Sequence, residues 1–359
     1  MTTSPLATST DIDASTILAR VRELTEPVLR ATVDRLEPWL AMMSAYHLGW
    51  RTVEGRPTPG MSGKLVRPAL AVLAAEAVGA DARVALPGAA AVELVHNFSL
   101  VHDDIMDGDE QRRGRPSVWH AYGSSAAIMV GDALQALAFD LIGAVGEDSR
   151  DGHDDGRGAR AGRLLNGAML DLVTGQAQDL KFPHRSWQGN DAVTVAEYQA
   201  MAGAKTGSLL GAAAAIGAEL GGAQPDVVST FDRIGRHLGL AFQCVDDILG
   251  IWGDPEITGK PVLGDLREGK KTLPILGALA AKTRVAVELR DALVQPVRSN
   301  EWLRHIALLI ERAGGRAFTE EQATSHLDQA RTLLARLSMP VRVRTEFDVL
   351  IDALTDRVR

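Results

Sequence analysis

A single cysteine, Cys244, is all the thiol chemistry the sequence holds, so no disulfide can form within the chain. Nothing requires an oxidising compartment, and a reducing cytoplasm is the expected setting. Positive charge is also short: 38 Lys and Arg stand against 46 Asp and Glu, a formal charge of −8, and no basic stripe breaks the pattern. That excludes the usual electrostatic footprint of a nucleic-acid binder. The opening residues, MTTSPLATSTDIDAS, lack the basic start and apolar stretch of a secretory signal and the arginines of a transit peptide. They are expected to form a disordered tail over residues 1–15, with a docking tag for a partner or an enclosing shell as the alternative. The most apolar run, Gly207 to Ala223, is interrupted by Glu219 and several glycines. It falls short of the about 20 apolar residues of a membrane span, and a buried core helix is expected there instead. Alternating apolar and polar runs long enough to build a sheet are absent.

What is abundant is aliphatic. Hydrophobic residues make up 46% of the chain but aromatics only 4%, so Ala, Leu and Val fill the core, which favours closely packed helices. Apolar residues recur with the helical period over Ile17–His47, Leu86–Met106, Ala126–Val145, Leu164–Leu180, Val227–Trp252 and Glu320–Leu337. Turn-forming clusters separate them, among them RPTPG at Arg56–Gly60 and GDPEITGKP at Gly253–Pro261. The Gly-rich, mixed-charge stretch at 146–163 reads as a flexible surface loop. The expected architecture is all-α: one large helical-bundle domain over residues 16–359, with a cavity between the helices.

The stretch AVELVHNFSLVHDDIMDGDEQRRGRP, Ala91–Pro116, carries the first chemistry. At about 100° per residue, with His96 at zero, Asp103 falls near −20°, Asp107 near +20° and Asp104 near 80°. Two like charges one turn apart on a helix repel each other, so an acid pair ending an apolar helix makes sense if a cation bridges it. Hard carboxylate oxygens suit Mg²⁺, whose coordination is commonly completed by water and substrate phosphates. Alone, such a cluster reads more readily as a solvated helix end followed by a charged loop. Arg112 and Arg113 follow within one short loop, however, and guanidinium forks match phosphate oxygens.

A second apolar helix also ends in acids, in FQCVDDILGIWGDPEITGKPVLGDLREGKKTLP at Phe242–Pro274, where Asp246 and Asp247 are trailed by Lys260, Lys270 and Lys271. Two acid-ended helices with basic residues behind them suggest two walls facing one anionic substrate. Lys205 and Thr206 open the apolar helix between them and would, alone, be an unremarkable helix start. Three acids or thiols are discounted: Asp154 and Asp155 lack a helix to project from, and Cys244 reads as a small core residue. His102 reads as a packing or hydrogen-bonding residue.

In this order, GKLVRP (Gly63–Pro68), DDIMDGDEQRRGRP (Asp103–Pro116), GD (Gly131, Asp132), GQ (Gly175, Gln176), KT (Lys205, Thr206), FQCVDD, TGK and GKKTLP resemble the trans-isoprenyl diphosphate synthases, the polyprenyl synthetase family. The resemblance implies an isoprenoid-synthase bundle with a central prenyl-chain cavity, and Mg²⁺-dependent head-to-tail condensation of isopentenyl diphosphate with an allylic diphosphate. It assigns Lys64, Arg67, His96 and Arg113 to isopentenyl diphosphate, and Arg112, Lys205, Lys260 and Lys270 to the allylic diphosphate. Asp103, Asp107 and Asp246 become metal ligands, supported by Asp104 and Asp247, for about three Mg²⁺ ions. Lys205, Thr206 and Gln243 become the groups beside the allylic cation. A homodimer is implied as well.

Two positions depart from the family pattern. Gly250 stands where the second acidic motif usually has its third Asp, so either Asp246 suffices or Asp254 assists; the first is favoured because Gly253 and Pro255 end the helix. Leu65 stands where many members have a second basic residue, while Lys64 and Arg67 keep their spacing.

Phe98 and Ser99, five and four positions before Asp103, resemble the chain-length determinants of short-chain synthases, above all those with the twenty-carbon geranylgeranyl product and next the farnesyl product. A class I terpene cyclase shares the first acidic cluster, but a cyclase has no use for Lys64, Arg67 and His96. A regulatory subunit of a heteromeric synthase commonly loses the acids that are complete here. If Phe98 is the floor of the chain pocket, Phe98→Ala lengthens the products resolved by chromatography; an unchanged product length contradicts that role.

Overall fold

A computed structural model describes residues 13–58, 60, 63, 65–146, 156–254, 262–295 and 299–355. Helices make up almost all of its regular structure. In chain order they are α1 (Ala14–Val33), α2 (Pro38–His47), α3 (Val66–Ala77), α4 (Leu86–Asp107), α5 (Val118–Tyr122) and α6 (Ser124–Gly143). Next come α7 (Arg157–Lys181), α8 (Val195–Ala202), α9 (Ser208–Leu220) and α10 (Pro225–Trp252). The chain ends with α11 (Gly264–Glu268), α12 (Leu273–Ala280), α13 (Arg284–Leu293), α14 (Asn300–Arg312), α15 (Gly315–Ala335) and α16 (Val341–Thr355). A two-stranded hairpin, β1 (Gln111–Arg112) and β2 (Arg115–Pro116), follows α4.

The all-α expectation therefore holds, with local corrections. The apolar period over Ile17–His47 covers two helices, because Pro38 favours a first helical position and Glu37 caps the new helix through the Trp39 and Leu40 amides. At the N-terminus the helix starts earlier than expected. Asp13 caps α1 by accepting from Thr16 N at 2.7 Å, so Ala14 and Ser15 are helical rather than tail. Residues 1–12 lie outside the described residues. Helix α7 begins at Arg157, so the last third of the expected loop is helical; Arg160 is held there by buried Glu219 at 2.6 Å. Asp154 and Asp155 lie outside the described residues.

The core centres on α9, which lies within the Gly207–Ala223 run; all thirteen residues of the helix are buried among α3, α4, α7 and α10. Its Ala212–Ala215 run lets neighbours approach closely, and dispersion accumulates over many short contacts. Helices α4 and α6 are long and apolar enough to cross a membrane by length and composition. In the bundle they pack on each other, and α4 supplies core residues from Ala89 to Val101. This packing aligns the C-terminal ends of α4 and α10, on which the two acidic motifs lie.

Candidate active site

Helix α4 delivers the first wall. Gly108, in the left-handed region at φ 71°, ends it and turns the chain into the β1–β2 hairpin. The hairpin folds Arg112 back so that its Nε donates to Asp104 Oδ1 at 2.8 Å. Asp104 is fully buried and holds this arginine in place, while Asp103 and Asp107 line the cleft. Arg113, at φ 54°, sends its guanidinium the other way, against the backbone of Gly63.

The second wall comes from α10. Buried Asp247 accepts from Tyr198 Oη at 2.5 Å, Gln243 Nε2 at 3.0 Å and Leu273 N at 2.9 Å. Gln243 Oε1 in turn accepts from Thr206 Oγ1 at 2.7 Å. Thr206 and Lys205 sit in a π-helical turn, Gly203–Gly207, that joins α8 to α9; such turns are frequent at functional sites because they displace side chains from the helical register. The turn presses against α7 so closely that a Cβ on Gly175 would lie 2.3 Å from Lys205 N. Only glycine admits that approach. Lys205 Nζ then pairs with Asp179 on α7 at 2.6 Å.

Between the walls lies a cleft of about 540 Å³, which Asp103, Asp107, Asp246, Arg112, Lys205 and Lys270 all line. A second cavity of about 240 Å³ is lined by Arg67, His96, Arg113 and Glu93 with Phe242. The two cavities share α4 and α10: His96 and Phe242 belong to one, and Leu100 and Asp246, each one turn further on, belong to the other. Burial pushes the Asp103 carboxyl up to about 6, with Lys205 opposing and Asp107 adding to the rise. It also raises Asp107 and takes Asp247 up to about 7. Burial works against the Lys270 ammonium, yet Glu268 and Asp265 hold it charged, its pKa above the ordinary lysine value. His96 is pushed well below the usual imidazole range by burial and by Arg67 and Arg113, and is neutral.

The structure thus brings Arg67, His96 and Arg113 together in one cavity and Asp103, Asp107, Arg112, Lys205, Gln243, Asp246, Asp247 and Lys270 in the other. Lys64 and Lys260 lie outside the described residues. Phe98 is buried in the core, edge-on to His102 with ring centroids 4.8 Å apart, and Ser99 donates to the His96 carbonyl. His102 bonds the Ile128 carbonyl and packs over Gly131, as a hydrogen-bonding residue does. Cys244 is buried, and that burial pushes its thiol up to about 12, so it is no nucleophile. Asp254 is exposed beyond the end of α10.

Sequence reasoning missed Asp179, Asp265, Tyr198 and Glu93, all of which line one of the cavities. Asp179 follows the GQ pair by one helical turn, a spacing that could have found it. Buried Glu93 accepts from Asn97, which bonds His47, and nothing in its apolar sequence context marks it.

The polyprenyl synthetase family model matches residues 58–307. The (2E,6E)-farnesyl diphosphate synthase of Mycobacterium tuberculosis is 44% identical over 345 residues, covering 95% of this chain and 92% of that protein. The geranylgeranyl diphosphate synthase of the same organism is 41% identical over 315 residues, covering 88% and 87%. A crystal structure of polyprenyl synthetase from Streptomyces coelicolor A3(2) superposes with a TM-score of 0.86 at 47% identity, covering 95% of this chain and 99% of that one. The chain belongs to the polyprenyl synthetase family and is a trans-prenyltransferase of the short-chain kind. Enzymes of this family join isopentenyl and allylic diphosphates with the help of divalent metal ions.

The donor set fits such ions. All candidate ligands are hard carboxylate oxygens, and burial and like-charge repulsion keep the proton affinity of Asp103 and Asp107 high until a cation arrives. Among the described residues no three acids converge on one point. Each wall offers one or two, as expected of ions that substrate phosphates complete.

The pH behaviour of Asp103 follows from its environment. Its folded carboxyl keeps a proton up to about 6, whereas in the unfolded chain it ionises near 3.9, so its contribution to stability is lost as pH rises through that window. In chelator-containing buffer, Asp103→Asn therefore gains thermal stability relative to the wild type between about pH 4 and pH 7. A difference that stays flat with pH contradicts this environment.

Proposed function

We propose that this chain catalyses the Mg²⁺-dependent 1′-4 condensation of isopentenyl diphosphate with an allylic diphosphate to a short-chain trans-prenyl diphosphate. The observation that carries this reading is the pair of cavities one helical turn apart on α4 and α10, the smaller lined by Arg67 and Arg113 and the larger by facing acids interleaved with Arg112, Lys205 and Lys270. In the smaller cavity Arg67 keeps a buried Nε with no hydrogen-bond partner among the described residues, a donor suited to a phosphate oxygen. Arg113 and neutral His96 complete that pocket, with Lys64 as a further cation. A terpene cyclase, which takes one diphosphate, leaves this pocket without a purpose.

In the larger cleft Lys205, Lys270 and Arg112, with Lys260, take the allylic diphosphate. Asp103 and Asp107 on one wall and Asp246 on the other hold Mg²⁺. When bound, the ions offset the charge that develops on the departing diphosphate. The protein's own part is orientation. Asp104 fixes Arg112, and Asp247 fixes Gln243, whose side-chain carbonyl also accepts from Thr206. The carbonyl dipoles of Gln243 and Lys205 and the Thr206 hydroxyl then face the carbon that becomes positive as its bond to oxygen breaks. The alkene of isopentenyl diphosphate forms the new carbon–carbon bond with that carbon. The proton it sheds goes to the departing diphosphate. Aliphatic helix walls offer the cation no nucleophile.

The product reading is twenty carbons from the Phe98–Ser99 pattern, with fifteen carbons as the second reading because the farnesyl synthase relative is slightly more similar. Ile128 and Met129 on α6 and Leu170 and Val173 on α7 are about half exposed or more, an apolar surface that supports a homodimer. Cytoplasmic location is part of the same reading.

Incubation with isopentenyl diphosphate and each allylic primer should give a fifteen- or twenty-carbon product only when Mg²⁺ is present. Lys205→Ala should lower kcat about 100-fold or more. Lack of metal-dependent elongation with every primer contradicts the proposal.

A further inference from the structure

Lys270 and Lys271 are consecutive, yet their side chains meet different partners. Lys270 pairs with Glu268 at 2.7 Å and lines the cleft between the acidic walls. Lys271 also borders that cleft, but it is only 3% exposed and backbone encloses its ammonium. Lys271 Nζ donates to the Phe182 carbonyl at 2.7 Å and the Arg185 carbonyl at 2.5 Å, with the Pro183 carbonyl at 3.5 Å. The Trp187 ring covers it, with Nζ 4.4 Å from the ring centroid.

These carbonyls belong to the 3₁₀ turn Phe182–His184, which continues from α7, and to the residue after it. Carbonyls at a helix end lack intrahelical partners and carry the negative end of the helix dipole, so an ammonium is well placed there. The Arg185 backbone is held in turn, since its guanidinium bonds Glu197 and the Asp191 and Ala192 carbonyls. Asp179, in the last turn of α7, is the residue that pairs with Lys205 at 2.6 Å. Lys271 thus grips the same helix end whose carboxylate holds Lys205. Beyond Lys271 the chain runs through buried Thr272 to Leu273, whose amide bonds Asp247. Phe182 and Leu273 share one buried cluster with Tyr198, so both sides of the clamp rest on packed side chains.

We propose that Lys271 is a positioning residue: it holds the end of α7 so that Asp179 keeps Lys205 aimed into the cleft, and it touches no diphosphate itself. The two lysines then have separate duties, Lys270 facing substrate and Lys271 facing backbone. Loss of the Lys271 ammonium leaves buried carbonyls without their donor, and the end of α7 shifts to regain partners. The smaller cavity is lined by no residue of α7, α8 or the Lys270–Thr272 segment, so its substrate is spared. The inference rests on the reading of the larger cleft as the allylic diphosphate site.

Steady-state kinetics on Lys271→Ala, at a temperature well below its melting point, test it. The KM for the allylic diphosphate should rise about 10-fold, while that for isopentenyl diphosphate stays within about twofold. Asp179→Asn should raise the allylic KM as well. The double variant Lys271→Ala/Asp179→Asn should be no worse than the more damaged single variant, because both substitutions act through Lys205. If Lys271→Ala melts below the assay temperature, Lys271→Met, which keeps the aliphatic stem, goes through the same two-substrate and double-variant comparison. An unchanged allylic KM in either folded single variant, an equal rise in both KM values, or additive effects in the double variant overturns the proposal. Failure of the wild type to elongate any allylic primer overturns instead the reading of the cleft beneath it.

Discussion

The carboxylate of Asp247 accepts hydrogen bonds from three donors that reach it from separate parts of the chain: Tyr198 on α8, Gln243 on its own helix and the Leu273 amide at the start of α12. A buried carboxyl is costly unless its oxygens are satisfied, so these elements must meet at that point. Once they do, Gln243 is aimed at Thr206, and the π-turn that carries Lys205 is tied to α10. Lys205 then finds Asp179 on α7. One buried acid thereby sets the relative positions of four elements around the cleft. Asp104 does the same on a smaller scale, since it fixes Arg112 and with it the hairpin after α4.

Acids with two different duties therefore sit side by side in each motif. The buried member of each pair is bonded within the protein, Asp247 at both oxygens and Asp104 through Oδ1, its buried Oδ2 having no hydrogen-bond partner among the described residues. Asp103, Asp107 and Asp246 gather like charge on the facing walls of the cleft. Burial raises the proton affinity of Asp103 and Asp107, and a divalent cation relieves the same unfavourable charge. The chain's overall charge of −8 says little about this. What matters is that acids and the cations Arg112, Lys205 and Lys270 are interleaved around the cleft, so that on the proposed reading bound metal would turn an acidic cleft into a phosphate-binding one.

Much of this was legible before any coordinates. Helical periodicity identified α4, α6, α7, α10 and α15, an apolar run identified α9, and helical arithmetic put His96, Asp103 and Asp107 on one face. Periodicity failed at Asp34–Glu37 because a proline-started helix resumes the same apolar period after a break. It failed at Arg157–Arg163 because glycine and mixed charge look like a loop until Glu219, distant in sequence, pairs with Arg160. Asp265 and Glu93 were invisible for a related reason. Their significance lies in contacts between helices, and Asp265 makes one of them against Gly250, which has no side chain.

The central proposal is that divalent metal held on the two acidic walls strengthens the cleft's hold on diphosphate beyond what Arg112, Lys205 and Lys270 supply. Calorimetric titration of inorganic diphosphate into the protein, with Mg²⁺ and then with chelator, tests it most directly. The account predicts saturable binding with Mg²⁺ and at least about tenfold weaker binding without it. Equal affinity in the two conditions would contradict it.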